Sequence, residues 1–347
     1  MPESPGNLLF TVEKIITETP SAKTFVLRPN DENFTYLPGQ FLSLIVNIRG
    51  REVRRAYSLG STPMVDPLPF ITVKRVENGE MSRYLMSVLS ERTSIETLPA
   101  TGKFFLEKSD LPRDIVLTGA GSGIVPLFGI LKQVLTTEPQ SVVHLLYSNR
   151  RPEDTIYLEQ LREWEKLYPE RLRISWFFSL SKQIISARLH WDFLENYLLT
   201  RLKFTKQDAH VFTCGPDTYM YLSKVVSLSL GFSETHFHKE VFYVKINKEI
   251  EKKDFGNKVR RVNLKIGNEN YSLKMSSNQT ILQVAKMNDI PIPWSCESGQ
   301  CSTCAMKCLT GEVEMTNNDV LTGRDLKNGL ILTCTGHPIS DVVDLEM

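Results

Sequence analysis

Cys296-Glu-Ser-Gly-Gln-Cys301-Ser-Thr-Cys304, followed at a distance by Cys334, is the stretch from which the rest of the chain is best read. The spacing is C-x4-C-x2-C and then a remote fourth thiol. Three thiols among nine mostly polar residues, next to Pro293 and Trp294, are not the start of a hydrophobic core, so four buried cysteines without a ligand would leave the pattern unexplained. Three ligands on one short loop let a small polar segment wrap a metal centre. Gly299 leaves room there for backbone N–H groups to approach the sulfurs.

This spacing resembles that of plant-type ferredoxins and implies a [2Fe-2S] cluster held by Cys296, Cys301, Cys304 and Cys334. Zinc is the rival. Structural zinc favours paired C-x2-C hooks or histidine partners, whereas Cys304 to Cys308 gives C-x3-C and no histidine follows before His337. Cys308 is then a spare thiol. Six cysteines in 347 residues are too few for a disulfide scaffold, and thiolate ligation suits a reducing compartment.

A chain of this length holds two or three domains of roughly 100 to 200 residues, and its 41% hydrophobic content can supply each with a core. Basic and acidic residues balance at 41 to 40, which gives no general attraction to nucleic acid or to an acidic membrane surface. The opening Met-Pro-Glu-Ser-Pro-Gly has no basic segment before an apolar core, and no run reaches the roughly 20 apolar residues of a membrane span. The expectation is a cytoplasmic protein.

Residues 1–108 show strand alternation, as in Thr24-Phe-Val-Leu-Arg28 and Gln40-Phe-Leu-Ser-Leu-Ile-Val46, broken by turn signals at Pro29 and Pro38-Gly39, with one helical stretch from Met81 to Leu89. This predicts a small antiparallel barrel or sandwich. Within it, Arg55-Ala56-Tyr57-Ser58 offers a guanidinium for a pyrophosphate, a ring to stack on a flavin and a hydroxyl for its reacting nitrogen. Alone the string is weak, since alternate strand residues more often make a half-solvated face. A second feature follows it: Thr72-Val73-Lys74 on a strand, then Gly79-Glu-Met81-Ser82 opening a helix whose N-terminal N–H groups suit phosphate.

From about Asp110 the pattern changes to buried runs alternating with amphipathic helices, which predicts a parallel α/β sheet. The runs are Ile115-Val-Leu117, Val142 to Tyr147, Ile174 to Ser179 and Val211-Phe-Thr213. In such sheets ligands bind beyond the carboxyl ends of the strands. There stand Thr118-Gly119-Ala-Gly121-Ser-Gly123-Ile-Val-Pro126, Ser148-Asn-Arg150-Arg151 and Cys214-Gly215-Pro216. The first is a diphosphate turn that departs from G-x-G-x-x-G by Ile124. Arg150, where a carboxylate for a ribose often stands, leans toward NADPH over NADH, although it can equally pair with Glu153 or Asp154. His144, His236 and His238 lack metal spacing and are read as structural.

Residues 243–258 are strongly charged and resemble a solvated tether. Beyond it a hairpin, Val259 to Met275, and a helix, Thr280 to Lys286, precede the cysteine loop, and Leu330-Ile-Leu-Thr333 delivers Cys334.

Together these motifs resemble the reductase components of bacterial multicomponent oxygenases, in the ferredoxin reductase superfamily, and are most similar to the reductases of phenylacetyl-CoA epoxidase and ketosteroid hydroxylase. The resemblance implies an antiparallel β-barrel FAD domain (1–108), an α/β parallel-sheet NAD(P) domain (109–242), the charged linker (243–258) and an α+β, β-grasp ferredoxin domain (259–347). It implies FAD rather than FMN, although reductases that use FMN share Arg-x-Tyr-Ser. Catalytic roles fall to Ser58, Cys214 and Glu240. The flavin falls to Arg55, Ala56, Tyr57, Ser58, Thr72, Val73, Lys74, Gly79, Met81, Ser82 and Phe242. The nucleotide falls to Thr118, Gly119, Gly121, Gly123, Ser148, Arg150, Cys214, Gly215 and Pro216.

NADPH or NADH would give a hydride to the flavin, and the cluster would carry electrons singly to an oxygenase or hydroxylase component. The nearer alternative is a general flavodoxin or ferredoxin-NADP reductase. A non-enzymatic electron carrier and a zinc-stabilised interaction module are the readings from other classes.

Overall fold

The structure is a computed structural model that describes residues 6–181, 187–242 and 254–347. Residues 243–253, most of the expected linker, lie outside it. One compact unit takes in Asn7–Val53 and Tyr57–Glu240; the other is built on Val241–Met347.

The larger unit begins with six strands: β1 (Leu8–Thr19), β2 (Ala22–Pro29), β3 (Phe41–Ile48), β4 (Arg51–Ser58), β5 (Phe70–Lys74) and, after helix α1 (Glu80–Ser87), β6 (Ser94–Thr97). They form one antiparallel sheet in the order β4-β3-β6-β1-β2-β5. A bridge between Leu59, just past β4, and Ile71 on β5 joins its two edges into a barrel. The alternation read in the sequence places Phe25, Leu27, Leu42, Leu44, Ile71 and Val73 inside. Arg49 and Gly50, both at positive φ (55° and 79°), make the tight β3–β4 turn whose twist matches its strands.

Next come β7 (Asp114–Ala120), α2 (Ile124–Thr137), β8 (Val142–Asn149), α3 (Leu158–Leu167), β9 (Leu172–Phe178), α4 (Trp191–Thr200), β10 (His210–Cys214), α5 (Asp217–Ser229) and β11 (Phe237–Glu240). The strands form a parallel sheet in the order β11-β10-β7-β8-β9. The chain runs outward from β7 through β9 and then restarts on the other side with β10, so the topological switch lies between β7 and β10. That is where an open α/β sheet makes its ligand crevice. β11, which pairs with β10, is an edge strand.

Barrel and sheet share buried contacts. Ala22, Phe104 and Leu106 belong to the same core as α2, and Thr62 Oγ1 donates to the Gly129 carbonyl at 2.7 Å. Lys132, only 2% exposed, pairs with Asp66 between the rings of Phe70 and Phe128.

The smaller unit holds β12 (Val259–Ile266), β13 (Glu269–Ser276), α6 (Ile281–Met287), β14 (Ala305–Thr310), β15 (Val313–Met315), α7 (Gly323–Lys327), β16 (Leu330–Leu332), β17 (Gly336–Pro338) and β18 (Val342–Glu346). Its main sheet runs β13-β12-β18-β14-β16, with β12 and β18 parallel and the other pairs antiparallel. α6 packs its apolar face on this sheet, the β-grasp arrangement. Thr280 and Gln283 form a reciprocal capping box at its start.

Candidate active site and metal centre

At the carboxyl end of β7, Gly121 to Gly123 form a single 3₁₀ turn that runs straight into α2. Gly121 has φ +56°. A Cβ on Gly123 would lie 2.1 Å from the Cys214 carbonyl oxygen, so only glycine lets the turn pass this close to β10. The Ile124 N–H is taken by the carbonyls of the turn, but no side chain caps the start of α2, which suits an anion there. These features fit a nucleotide diphosphate.

Other predicted residues gather around the turn. Cys214 is buried beside Gly123, and burial pushes its thiol well up, with the charge of Glu240 adding to this. Gly215 packs against Ala120, and Pro216 leads into α5. Thr118 is buried with its hydroxyl 3.0 Å from Ser223, so it braces α5. A Cβ on Gly119 would crowd Leu127 at 2.9 Å. Ser148 reaches the Tyr219 hydroxyl, and Arg150 is exposed beyond β8.

Lys74, placed with the flavin residues on sequence grounds, lies by this turn. Its Nζ would be 3.4 Å from a Cβ on Gly121. Burial lowers its pKa, with Asp154 opposing and Arg150 adding to the shift.

On the barrel side, Ser58 at the end of β4 is buried and donates to Glu240 Oε2 at 2.7 Å. Cys214 and Glu240 are register partners on adjacent strands, which brings the three expected catalytic residues to one place. Glu240 is half-buried as a residue, yet burial of its carboxyl pushes the pKa up to about 8, against the opposing pull of the Ser58 hydrogen bond.

This shift has a sign. The ordinary carboxyl ionises near 4.5 and this one near 8, so between those values the folded chain binds more protons than the unfolded one and stability falls as pH rises. Glu240→Gln is expected to remove that slope while leaving stability at pH 4 nearly unchanged. Urea unfolding of both chains across the range checks this.

The remaining flavin residues divide by exposure. Arg55 is exposed, Ala56 and Tyr57 are half-buried, and Phe242 is 43% exposed two residues past β11. Val73 and Met81 fill the barrel core. The Thr72 hydroxyl is engaged by Thr24 at 2.6 Å and by Tyr157. Thr72 and Val73 can therefore offer a flavin only backbone groups. Gly79 is the N-cap of α1 and gives it no side-chain cap, while Ser82 Oγ accepts from Val76 N and donates to the Gly79 carbonyl. The free first-turn N–H groups of α1 fit a pyrophosphate.

Two tyrosines escaped the sequence reading. Tyr147 is fully buried and donates to the Gly121 carbonyl at 2.9 Å; Tyr219 donates to the Leu146 carbonyl at 3.0 Å. A tyrosine inside an apolar run, with a hydroxyl that must find a partner, was the available signal. His144 bonds buried Asp114 at 2.9 Å, and the His210 ring stacks with His236 and His238, the latter also against Phe212.

In the smaller unit Cys301, Cys304 and Cys334 are buried and Cys296 is half-buried; all are free thiols. Glu297, Gly299 and Ser302 have positive φ, which coils the loop. The N–H groups of Ser298 and Gln300 point at Cys296 Sγ, at 3.5 and 3.4 Å. Gly299 lies against Asn317, whose side-chain amide donates to the Ser298 carbonyl at 2.7 Å.

Cys296 neighbours Cys301 and Cys334, and Cys304 neighbours Cys334; this proximity, with Ser298, draws the Cys296 thiol down. Among the described residues no three His, Cys, Asp or Glu side chains are placed to hold one metal ion. A [2Fe-2S] cluster instead spreads its thiolates over two irons, which suits a chain of neighbouring thiols lined by backbone donors. Cys308 stands apart, bonded to the Thr310 and Gly311 carbonyls.

Three family descriptions match along the chain: an oxidoreductase FAD-binding domain over residues 9–105, an oxidoreductase NAD-binding domain over 117–224, and a 2Fe-2S iron-sulfur cluster binding domain over 264–338. The ferredoxin reductase component of 3-ketosteroid-9-alpha-monooxygenase from Rhodococcus rhodochrous is 31% identical, over 100% of this chain and 98% of its own. A 1,2-phenylacetyl-CoA epoxidase component from Escherichia coli is 28% identical, over 96% of both. Among solved structures, phthalate dioxygenase reductase matches 99% of this chain and 98% of its own with a TM-score of 0.62 at 22% identity, a likeness of fold. With relatives spanning its whole length and all three domain families in the same order, this chain belongs to the iron-sulfur flavoprotein reductase components of oxygenase systems.

Proposed function

We propose that this chain draws electrons from NAD(P)H at the β7–β10 switch point and passes them to a separate oxygenase or hydroxylase protein, of the kind that its relatives' names attach to ketosteroid and phenylacetyl-CoA oxidation. The observation that carries the reading is the meeting of Ser58, Cys214 and Glu240 beside the glycine turn, in a chain that also bears the four-cysteine loop. When bound, FAD would supply the conversion of a two-electron hydride into single electrons and a [2Fe-2S] cluster their one-at-a-time carriage.

The chain's own residues supply position. The Gly121–Gly123 turn and the start of α2 hold the diphosphate, and Lys74 adds charge beside it. Arg150 favours the 2′-phosphate of NADPH. Buried Cys214 and the Gly215-Pro216 bend shape the edge where the nicotinamide lies. Ser58, whose O–H is donated to Glu240, would turn its oxygen to the flavin, and the protonated Glu240 holds a proton at that position below about pH 8. Arg55, Tyr57 and the first turn of α1 hold the rest of the FAD, and the four cysteines hold the cluster.

Among the described residues no helix is long and apolar enough to cross a membrane. A thiolate-ligated centre by itself suits a reducing, cytoplasmic setting.

Anaerobic titration of the holoprotein, followed by its visible spectrum, tests the reading with NADPH and then NADH. Bleaching of both flavin and cluster bands is the expected result, with NADPH needed in smaller excess. Bleaching of flavin alone would overturn it.

A further inference from the structure

Two hydroxyls in the cysteine loop are buried without a nitrogen or oxygen partner. Ser295, immediately before Cys296, is 2% exposed, and its Oγ has no partner; the Oγ1 of Thr303, immediately before Cys304, meets only the Cys301 sulfur. Three other hydroxyls nearby are used. Thr333 donates to the Cys304 carbonyl at 3.0 Å, Thr335 to the Asn317 carbonyl at 2.8 Å, and Ser298 to Gln300 Oε1 at 3.4 Å. A buried hydroxyl that bonds nothing forfeits its water hydrogen bonds without return, and calls for a group that it is waiting to meet. Each of these two flanks a cysteine, and the Thr303 hydroxyl also lies beside the Cys301 thiol.

We propose that Ser295 and Thr303 donate their O–H groups to sulfur atoms of the bound [2Fe-2S] cluster and raise its reduction potential. This rests on the assignment of the four cysteines as ligands. Reduction adds a negative charge that the sulfurs share, so a donor aimed at sulfur stabilises the reduced cluster more than the oxidised one. The two hydroxyls are positioning and tuning residues: they set how readily the cluster takes an electron and how readily it gives it up.

The test is a redox titration of the holoprotein carrying Ser295→Ala, Thr303→Val or Thr303→Ser, with cluster content counted by electron paramagnetic resonance. The expected result is a loaded cluster in each. In Ser295→Ala and Thr303→Val the reduced-to-oxidised ratio at fixed ambient potential falls by about threefold to tenfold, up to about 59 mV for one electron; in Thr303→Ser it is restored. Each hydroxyl lost should also remove one exchangeable-proton coupling from the spectrum of the reduced cluster, which a merely structural role would not do. Loaded clusters with unchanged potential and couplings overturn the proposal. If Ser295→Ala fails to load, the Thr303→Val and Thr303→Ser pair decides it by the same two readouts. A wild-type chain with no cluster signal would instead refute the ligand assignment itself.

Discussion

Cys296→Ser is expected to leave NAD(P)H-driven reduction of small dyes within about twofold of the parent and to cut electron transfer to a protein acceptor by at least about 100-fold, since loss of even an outer partner costs a metal site ~10–100-fold. The dyes draw on the flavin and nucleotide residues, whose supporting core runs from Phe104 through α2 to Phe212. Cys334, the neighbour of Cys296, belongs to a different core, built on Val262, Ile281 and Leu345. Serine keeps the size but loses the ligand: a hydroxyl ionises far less readily than a thiol, and the N–H groups of Ser298 and Gln300 that now face a sulfur would face a neutral oxygen. Steady-state dye reduction and acceptor reduction on the same preparation check the split. Undiminished transfer to the acceptor would mean that electrons leave from the flavin, and the proposed order of carriers would be wrong.

Gly123→Ala is the other large effect. The added Cβ would sit 2.1 Å from the Cys214 carbonyl oxygen and 2.5 Å from its carbon. Both atoms belong to β10, held between β7 and β11. Backbone locked into a sheet cannot yield as a side chain can, so the turn must open or the strand must shift. Overpacking of this kind costs about 3 kcal/mol at the upper end of its usual range, and an opened turn no longer presents its N–H groups to a diphosphate. The expected result is a stability loss of that order together with a large rise in KM for NAD(P)H. Gly121→Ala is the comparison: its nearest obstacle is the flexible end of Lys74 at 3.4 Å, which leaves chiefly the strain of φ +56°, about 1–2 kcal/mol. Urea unfolding and nucleotide saturation curves separate the two. A Gly123→Ala chain as stable and as tight as the parent would show that the contact with β10 is dispensable.

What could be read from the sequence was whatever is encoded locally. The cysteine spacing, the alternation in β2 and β3, and the glycine turn between a buried strand and a helix each lie within a few neighbouring residues, and backbone geometry ties them to one structure. What could not be read depends on partners far away in the chain. Ser58 and Glu240 are 182 positions apart, and they meet only where the end of barrel strand β4 comes against β11 of the parallel sheet. Thr72 looked available to a flavin because nothing nearby in sequence reveals that Tyr157 and Thr24 take its hydroxyl. Nor does the strand that carries Lys74 reveal that its amine reaches the glycine turn of the other sheet. The free hydroxyls of Ser295 and Thr303 were invisible for the same reason: an unmet hydrogen bond is a property of the fold.

β14 starts immediately after Cys304 and β16 ends two residues before Cys334, and the two strands pair antiparallel with Ala305 opposite Leu332. The ladder is therefore a ruler that spaces two of the four ligands. Slippage by one residue would turn Cys334 to the opposite face of the sheet, while most of the apolar contacts that hold the domain could be remade. Errors in that register would show during biogenesis, as chains that fold and yet fail to take up iron and sulfide, before they show as loss of the fold.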